Sequence, residues 1–202
     1  MNDTMVETVS GKVLDLMNPE PSCVDIEDIA WSLSRLARYN GHTIQKIPYT
    51  VGQHSICVAK RIMELCPDDY SLAMCGLLHD ASECYTGDLT GPLKKIPELR
   101  SIIKGIEKKI DYAIAEAFGL PVPLSDDHDG PCLDTSLIKE ADVYCQAIEA
   151  YNFMNSRGLN WDLGIQPSFI EYQSFEMPKP NIEVYEEFLE LYKSLQLKIK
   201  NL

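Results

Sequence analysis

His79 and Asp80 stand side by side within the run Leu77-Leu78-His79-Asp80-Ala81-Ser82-Glu83. Such a doublet is costly to bury, because both side chains need partners once water leaves. Flanked by apolar residues on a predicted helix, it reads as part of a metal site. His54 lies upstream and Asp142 downstream, each on a helical pattern of its own. Two imidazoles and two carboxylates suit one divalent transition metal bound through nitrogen and oxygen. Mn²⁺, Co²⁺, Fe²⁺ and Zn²⁺ all fit that donor set, and the residue types do not choose among them. An octahedral ion so held keeps open positions for water and for a substrate oxygen, and it lowers the pKa of the water. Taken alone, His54 would read as a hydrogen-bonded core histidine; the other three residues favour metal.

These residues need helices to bring them together, and the pattern is helical almost throughout. Ser22 with Asp25 resembles a capping box ahead of Ile26, Ile29, Ala30, Leu33, Leu36 and Ala37, a helix expected to end near Asn40-Gly41. Thr50 and Gln53 repeat the capping pattern, after which His54, Val58, Ile62 and Leu65 share a face. Pro67-Asp68-Asp69 opens a third helix through Leu72, Cys75, Leu78, His79 and Ser82, with Glu83 one turn beyond His79 on the same side. Tyr85 to Pro97 is a loop carrying Gly87, Asp88, Gly91, Pro92, Lys94 and Lys95. Loops on helical scaffolds commonly carry function.

A long helix is predicted from Pro97 to Phe118, stopped by Gly119. A polar, acidic loop that includes His128 follows over Pro121 to Pro131. The next helix, from about Asp134 to Ser156, carries Asp142 and, two turns later on the same face, Glu149. Gly158 to Pro180 is irregular. Asn181 caps a final amphipathic helix with Tyr185, Phe188, Leu189, Tyr192 and Leu195. The only β structure the pattern allows is two short strands near Thr43–Tyr49.

The 202 residues predict one domain, with a core over about 22–156 and a C-terminal segment and helix over 157–202. A formal net charge of −13 argues against broad binding to nucleic acid or to an anionic membrane, both of which need basic surface. Any phosphate pocket must therefore be positive only locally. No apolar run reaches the roughly 20 residues needed to span a bilayer. Met1-Asn2-Asp3-Thr4 lacks the start of a signal peptide, so a cytoplasmic location is expected. The seven cysteines are odd in number and include no Cys-x-x-Cys, which favours free thiols over disulfides.

The order His54, then His79-Asp80, then Asp142 resembles the HD-domain metal-dependent phosphohydrolases. The stretch from His79 to Lys94, HDASECYTGDLTGPLK, is similar to that of the 5'-deoxynucleotidases of the YfbR type. Phage-encoded HD phosphohydrolases, some of them dATP triphosphohydrolases, are similar too. Arg38-Tyr39-Asn40-Gly41-His42, Val51-Gly52-Gln53-His54-Ser55 and Lys139-Glu140-Ala141-Asp142 extend the resemblance over about Ile29 to Glu149. It implies an all-α HD-domain helical bundle that hydrolyses a deoxynucleotide by water attack at the 5' α-phosphorus, with one divalent metal (Mn, Co, Zn or Fe).

The resemblance also implies roles. His54, His79, Asp80 and Asp142 would hold the metal. Glu83 would orient or deprotonate the attacking water, a role worth roughly 10²–10⁴-fold. Asp88 would act on the leaving group or bind the sugar 3'-hydroxyl. Arg38 and Lys94 would bind phosphate, one as a planar fork and one as a point charge. Tyr39, where the deoxynucleotidases carry a tryptophan, would pack near the sugar, and Pro92 would line the base pocket. Relatives form homo-oligomers, to which the last helix would contribute, and a phage-encoded member would work in the host cytoplasm. Monophosphate and triphosphate substrates stay undivided at this level. The rivals are a non-catalytic HD-fold nucleotide sensor and a helical interaction protein that binds no metal.

Overall fold

A short antiparallel hairpin precedes the helices: β1 (Met5–Glu7) pairs with β2 (Val13–Asp15), Val6 opposite Leu14. The structure is a computed structural model that describes residues 3–121, 135–159, 161–164 and 175–201. Leu14 enters the core, and the buried carboxylate of Asp28 ties the hairpin down by accepting from the Thr8 and Ser10 hydroxyls, each at 2.7 Å. Among the described residues this hairpin is the only sheet. The strands expected near Thr43–Tyr49 are absent; that stretch is a loop closed by one bridge between Ala37 and Thr50.

Helix α1 (Ile26–Leu33) starts at Asp25, whose side chain accepts from the Glu27 N–H at 2.9 Å. Ser22 sits instead in a 3₁₀ turn, Pro21–Cys23. The helix ends at Leu33, short of the expected Asn40-Gly41, and Arg38–Gly41 forms a separate turn. In it Tyr39, Asn40 and Gly41 have φ of 58°, 52° and 74°. Two consecutive non-glycine residues in the left-handed region cost energy, so tertiary contacts must hold them there.

Helix α2 (Val51–Leu65) is the central element, packing against α3 (Tyr70–Leu78), α7 (Ser136–Phe153) and α8 (Asn181–Lys200). Thr50 caps it, accepting from the Gln53 N–H at 3.3 Å. Val58 and Ile62 are fully buried as expected, whereas Leu65 is 37% exposed at the helix end. Gly52 allows a close approach: a Cβ there would lie 3.1 Å from backbone atoms of Leu33 and Ser34 and from Val184.

Asp69 caps α3, accepting from the Leu72 N–H at 2.9 Å. The helix stops at Leu78 rather than running through Ser82. From there the chain tightens into i→i+3 bonds, Ala81 N–H to Leu78 O and Glu83 N–H to Asp80 O, both at 3.0 Å. Short helices α4 (Glu83–Thr86) and α5 (Gly91–Lys94) follow, the second inside the expected loop. Helix α6 spans Pro97–Phe118 as predicted, and Gly119 at φ 64° closes it.

Helix α8 begins at Asn181, with Pro180 rather than Asn181 in the capping position. Its apolar face (Val184, Phe188, Leu189, Tyr192, Leu195) is buried against α1, α2 and α3 within the chain. The result is the expected all-α bundle. Among the described residues no helix is long and apolar enough to cross a membrane. The expected loop with His128, together with residues 160 and 165–174, lies outside the described residues.

Candidate metal centre and active site

The His79 and His54 rings face each other with centroids 5.2 Å apart. On the outer side of each ring, Nδ1 meets a group that can only accept: the Gly76 carbonyl at 2.8 Å from His79, and Glu149 Oε1 at 2.6 Å from His54. Both Nδ1 atoms therefore carry the proton, and both Nε2 atoms turn inward. Neither Nε2 has a hydrogen-bond partner, although both are buried. Asp142 Oδ1 lies 3.2 Å from His54 Nε2, and Asp80 Oδ2 lies 3.2 Å from His79 Nε2 and 3.8 Å from His54 Nε2. These contacts are close but lack hydrogen-bond alignment.

Donor atoms of His54, His79 and Asp142 all fall within 4.8 Å of one another. Asp80 stands beside this trio at both imidazoles. Two orphaned imidazole nitrogens flanked by two carboxylates fit a divalent cation. Asp80, Asp142 and Glu149, each held below its ordinary value, place negative charge here.

His79 and Asp80 follow the end of α3 at Leu78, and the Asp80 carboxylate lies 3.2 Å from His79 Nε2. Helix α2 supplies His54, and α7 supplies Asp142 and, two turns on, Glu149.

The protein's electrostatics reflect the crowding. Burial pulls the His79 imidazole down, but Asp80 overrides it and holds the ring up at about 9. Burial raises the Asp80 and Asp142 carboxyls, yet the imidazoles win and both end below the usual range. Glu149 is fully buried, but Arg38 and His54 hold it down at about 2. Glu83 goes the other way: burial, reinforced by Asp80, pushes its carboxyl well above the ordinary value against the pull of Lys94. Asp88 is also raised, first by burial, with Arg38 opposing.

Arg38 is buried, its Nε donating to Glu149 Oε2 at 3.1 Å and its Nη1 lying 3.5 Å from Asp80 Oδ2. The Tyr39 hydroxyl donates to the same Glu149 oxygen at 2.5 Å, and its ring packs on Trp161 with centroids 5.6 Å apart. Lys94 Nζ sits between Glu83 Oε1 at 3.2 Å and Glu107 Oε1 at 3.0 Å. Pro92 is exposed in the first turn of α5, and His42 and Lys95 are exposed as well.

The structure thus gathers His54, His79, Asp80, Glu83, Arg38, Lys94 and Asp142, with Asp88 within electrostatic reach. Sequence reasoning missed Glu107 as a partner of Lys94, since nothing sets it apart on an amphipathic helix. Glu149, placed by sequence only on the face of Asp142, bonds both His54 and Arg38. A cavity of about 330 Å³ lined by Tyr49, Gln53, Cys57, Arg61, Tyr144 and Phe175 includes none of the convergent residues. The Cys57 and Cys145 sulfurs are 3.0 Å apart, and the described cysteines are free thiols as expected.

Comparison with known proteins adds a family. The profile of the YfbR-like 5'-deoxynucleotidases matches residues 31–160. An uncharacterized protein of Rhodobacter capsulatus is 35% identical over 148 residues, covering 70% of this chain and 69% of its own. The uncharacterized protein YfdR of Escherichia coli K12 is 32% identical over 161 residues, covering 78% and 77%. A 5'-deoxynucleotidase of Erwinia tasmaniensis is 26% identical over 161 residues, covering 73% and 79%.

Proposed function

The chain belongs to the YfbR-like 5'-deoxynucleotidase family, and from that premise we propose that it hydrolyses the 5'-phosphate of a deoxynucleoside monophosphate. One divalent cation would be held by His54, His79, Asp80 and Asp142. The observation that carries this reading is the pair of buried, unpartnered Nε2 atoms beside two carboxylates. When bound, the cation supplies Lewis-acid polarisation of a phosphoryl oxygen and acidifies water.

The protein's own residues do the rest. Arg38 and Lys94 bind the phosphate oxygens and hold phosphorus in line for attack. As water's oxygen bonds to phosphorus, Glu83 takes its proton. The P–O5' bond breaks, and the departing oxygen takes a proton by way of Asp88, whose carboxyl burial raises above its ordinary value. Nucleoside and orthophosphate result. Tyr39 borders the sugar, and Pro92, exposed in the first turn of α5, meets the base.

Two cations, Arg38 and Lys94, act on both Glu83 and Asp88. That charge suits one phosphate better than the longer chain of a triphosphate. The test is to incubate the protein with each deoxynucleoside mono- and triphosphate plus Mn²⁺ or Co²⁺ and identify the products. Orthophosphate from monophosphates supports the proposal. Inorganic triphosphate from triphosphates, with monophosphates untouched, would reassign the substrate.

A further inference from the structure

We propose that Glu149 is a positioning residue that fixes a metal-binding imidazole and a phosphate-binding guanidinium with one carboxylate. The inference rests on the functional reading above and extends it to a residue that touches neither phosphate nor cation. Glu149 is fully buried on α7. A carboxylate in that position is tolerated only when donors satisfy it, and three do, on two separate oxygens.

Oε1 takes the His54 Nδ1 proton at 2.6 Å. A carboxylate can only accept, so the bond sets the His54 tautomer and points its lone pair on Nε2 towards His79 and Asp142. Oε2 takes the Arg38 Nε–H at 3.1 Å. With Nε engaged there, Nη1 is turned towards Asp80, 3.5 Å away. The same Oε2 takes the Tyr39 hydroxyl at 2.5 Å. That contact, together with the Trp161 ring, pins a tyrosine whose φ of 58° is unfavourable for its type. The turn that presents Arg38 is therefore fastened to the helix that supplies Asp142. One side chain keeps the two halves of the site in register.

A residue that merely fills the core would not separate metal binding from phosphate binding. Glu149→Gln separates them. The amide oxygen still accepts from His54 Nδ1–H, but the amide NH₂ replaces the acceptor that faced Arg38. Glu149→Ala removes all three bonds.

The test uses the full chain. Mn²⁺ is titrated calorimetrically without nucleotide, kcat and KM are measured with deoxynucleoside monophosphates, and circular dichroism checks the fold. E149Q is expected to keep its Mn²⁺ Kd within about threefold while KM rises by about tenfold. E149A is expected to weaken Mn²⁺ binding by about 10- to 100-fold as well. Wild-type KM in E149Q, or wild-type Mn²⁺ affinity in folded E149A, overturns the positioning role. Should E149A fail to fold, E149Q decides alone. A wild-type protein that binds no Mn²⁺ and cleaves no deoxynucleotide overturns the functional reading itself. A wild-type protein that does both, with variants matching it, overturns only the role of Glu149.

Discussion

Lys94 donates to Glu83, its Nζ 3.2 Å from Oε1. The cation assigned to phosphate is thus held beside the carboxylate assigned to water, and Glu107 holds it from the other side at 3.0 Å. An arriving phosphate need only compete for a lysine already in place. Lys94→Gln is expected to raise KM for the monophosphate by about tenfold or more, with a smaller fall in kcat. Initial-rate kinetics check this; an unchanged KM would remove Lys94 from the phosphate site.

Glu83 has one oxygen on Lys94 and the other, Oε2, buried without a partner. It is close to the proposed metal ligands without belonging to the trio of donors. Glu83→Gln is expected to retain stoichiometric Mn²⁺ and to lose turnover by roughly 10²–10⁴-fold. Metal analysis beside the kinetics checks it. Loss of the metal in this variant would make Glu83 a ligand instead.

The segment 175–180 is tied to α2 and α8 by charge as well as by Gln53, which bonds the Met177 carbonyl at 2.8 Å. Glu187 accepts from Lys179 at 2.7 Å and from Lys60 at 2.8 Å. Burial raises the Glu187 carboxyl, but the two lysines outweigh it and leave it below its ordinary 4.5. A lowered carboxyl contributes stability that is complete above 4.5 and lost as pH falls through the folded value. Wild type should therefore lose part of its stability below about pH 4.5, and Glu187→Gln should lose less across the same window. Urea melts from pH 3 to pH 7 check the sign; parallel curves would show that the cluster contributes nothing.

Gly52 sits where α2 presses on the end of α1 and on Val184 of α8. Two of the three atoms nearest an added Cβ belong to the backbone and cannot swing aside. Gly52→Ala is expected to destabilise the fold by about 1–3 kcal/mol without removing any residue of the site. Equilibrium unfolding checks it, and an unchanged midpoint would mean that the helices separate without strain.

The bundle was legible because caps and stops are local chemistry. Thr50, Asp69 and Gly119 act where their side chains or backbone freedom require. The breaks were not. Leu77 to Ser82 reads as unbroken helix, whereas α3 ends at Leu78 and i→i+3 bonds follow. Nor does sequence separate Asp25 from Ser22 as the cap of α1, since both have suitable side chains. Composition likewise gives no sign that Tyr39 adopts a left-handed backbone, and the partner of its hydroxyl, Glu149, is 110 positions away. The residues of the site were legible by type and order; the contacts that orient them are tertiary.

One divalent cation, gripped by His54, His79, Asp80 and Asp142, is the proposed driver of deoxynucleoside 5'-monophosphate cleavage. The decisive measurement is orthophosphate release from the monophosphates by chelator-stripped protein, with and without one equivalent of Co²⁺, for wild type and His79→Ala side by side. Release by wild type only with Co²⁺, and none by the variant, is the predicted result. Equal release without metal, or full activity in His79→Ala, would contradict the account.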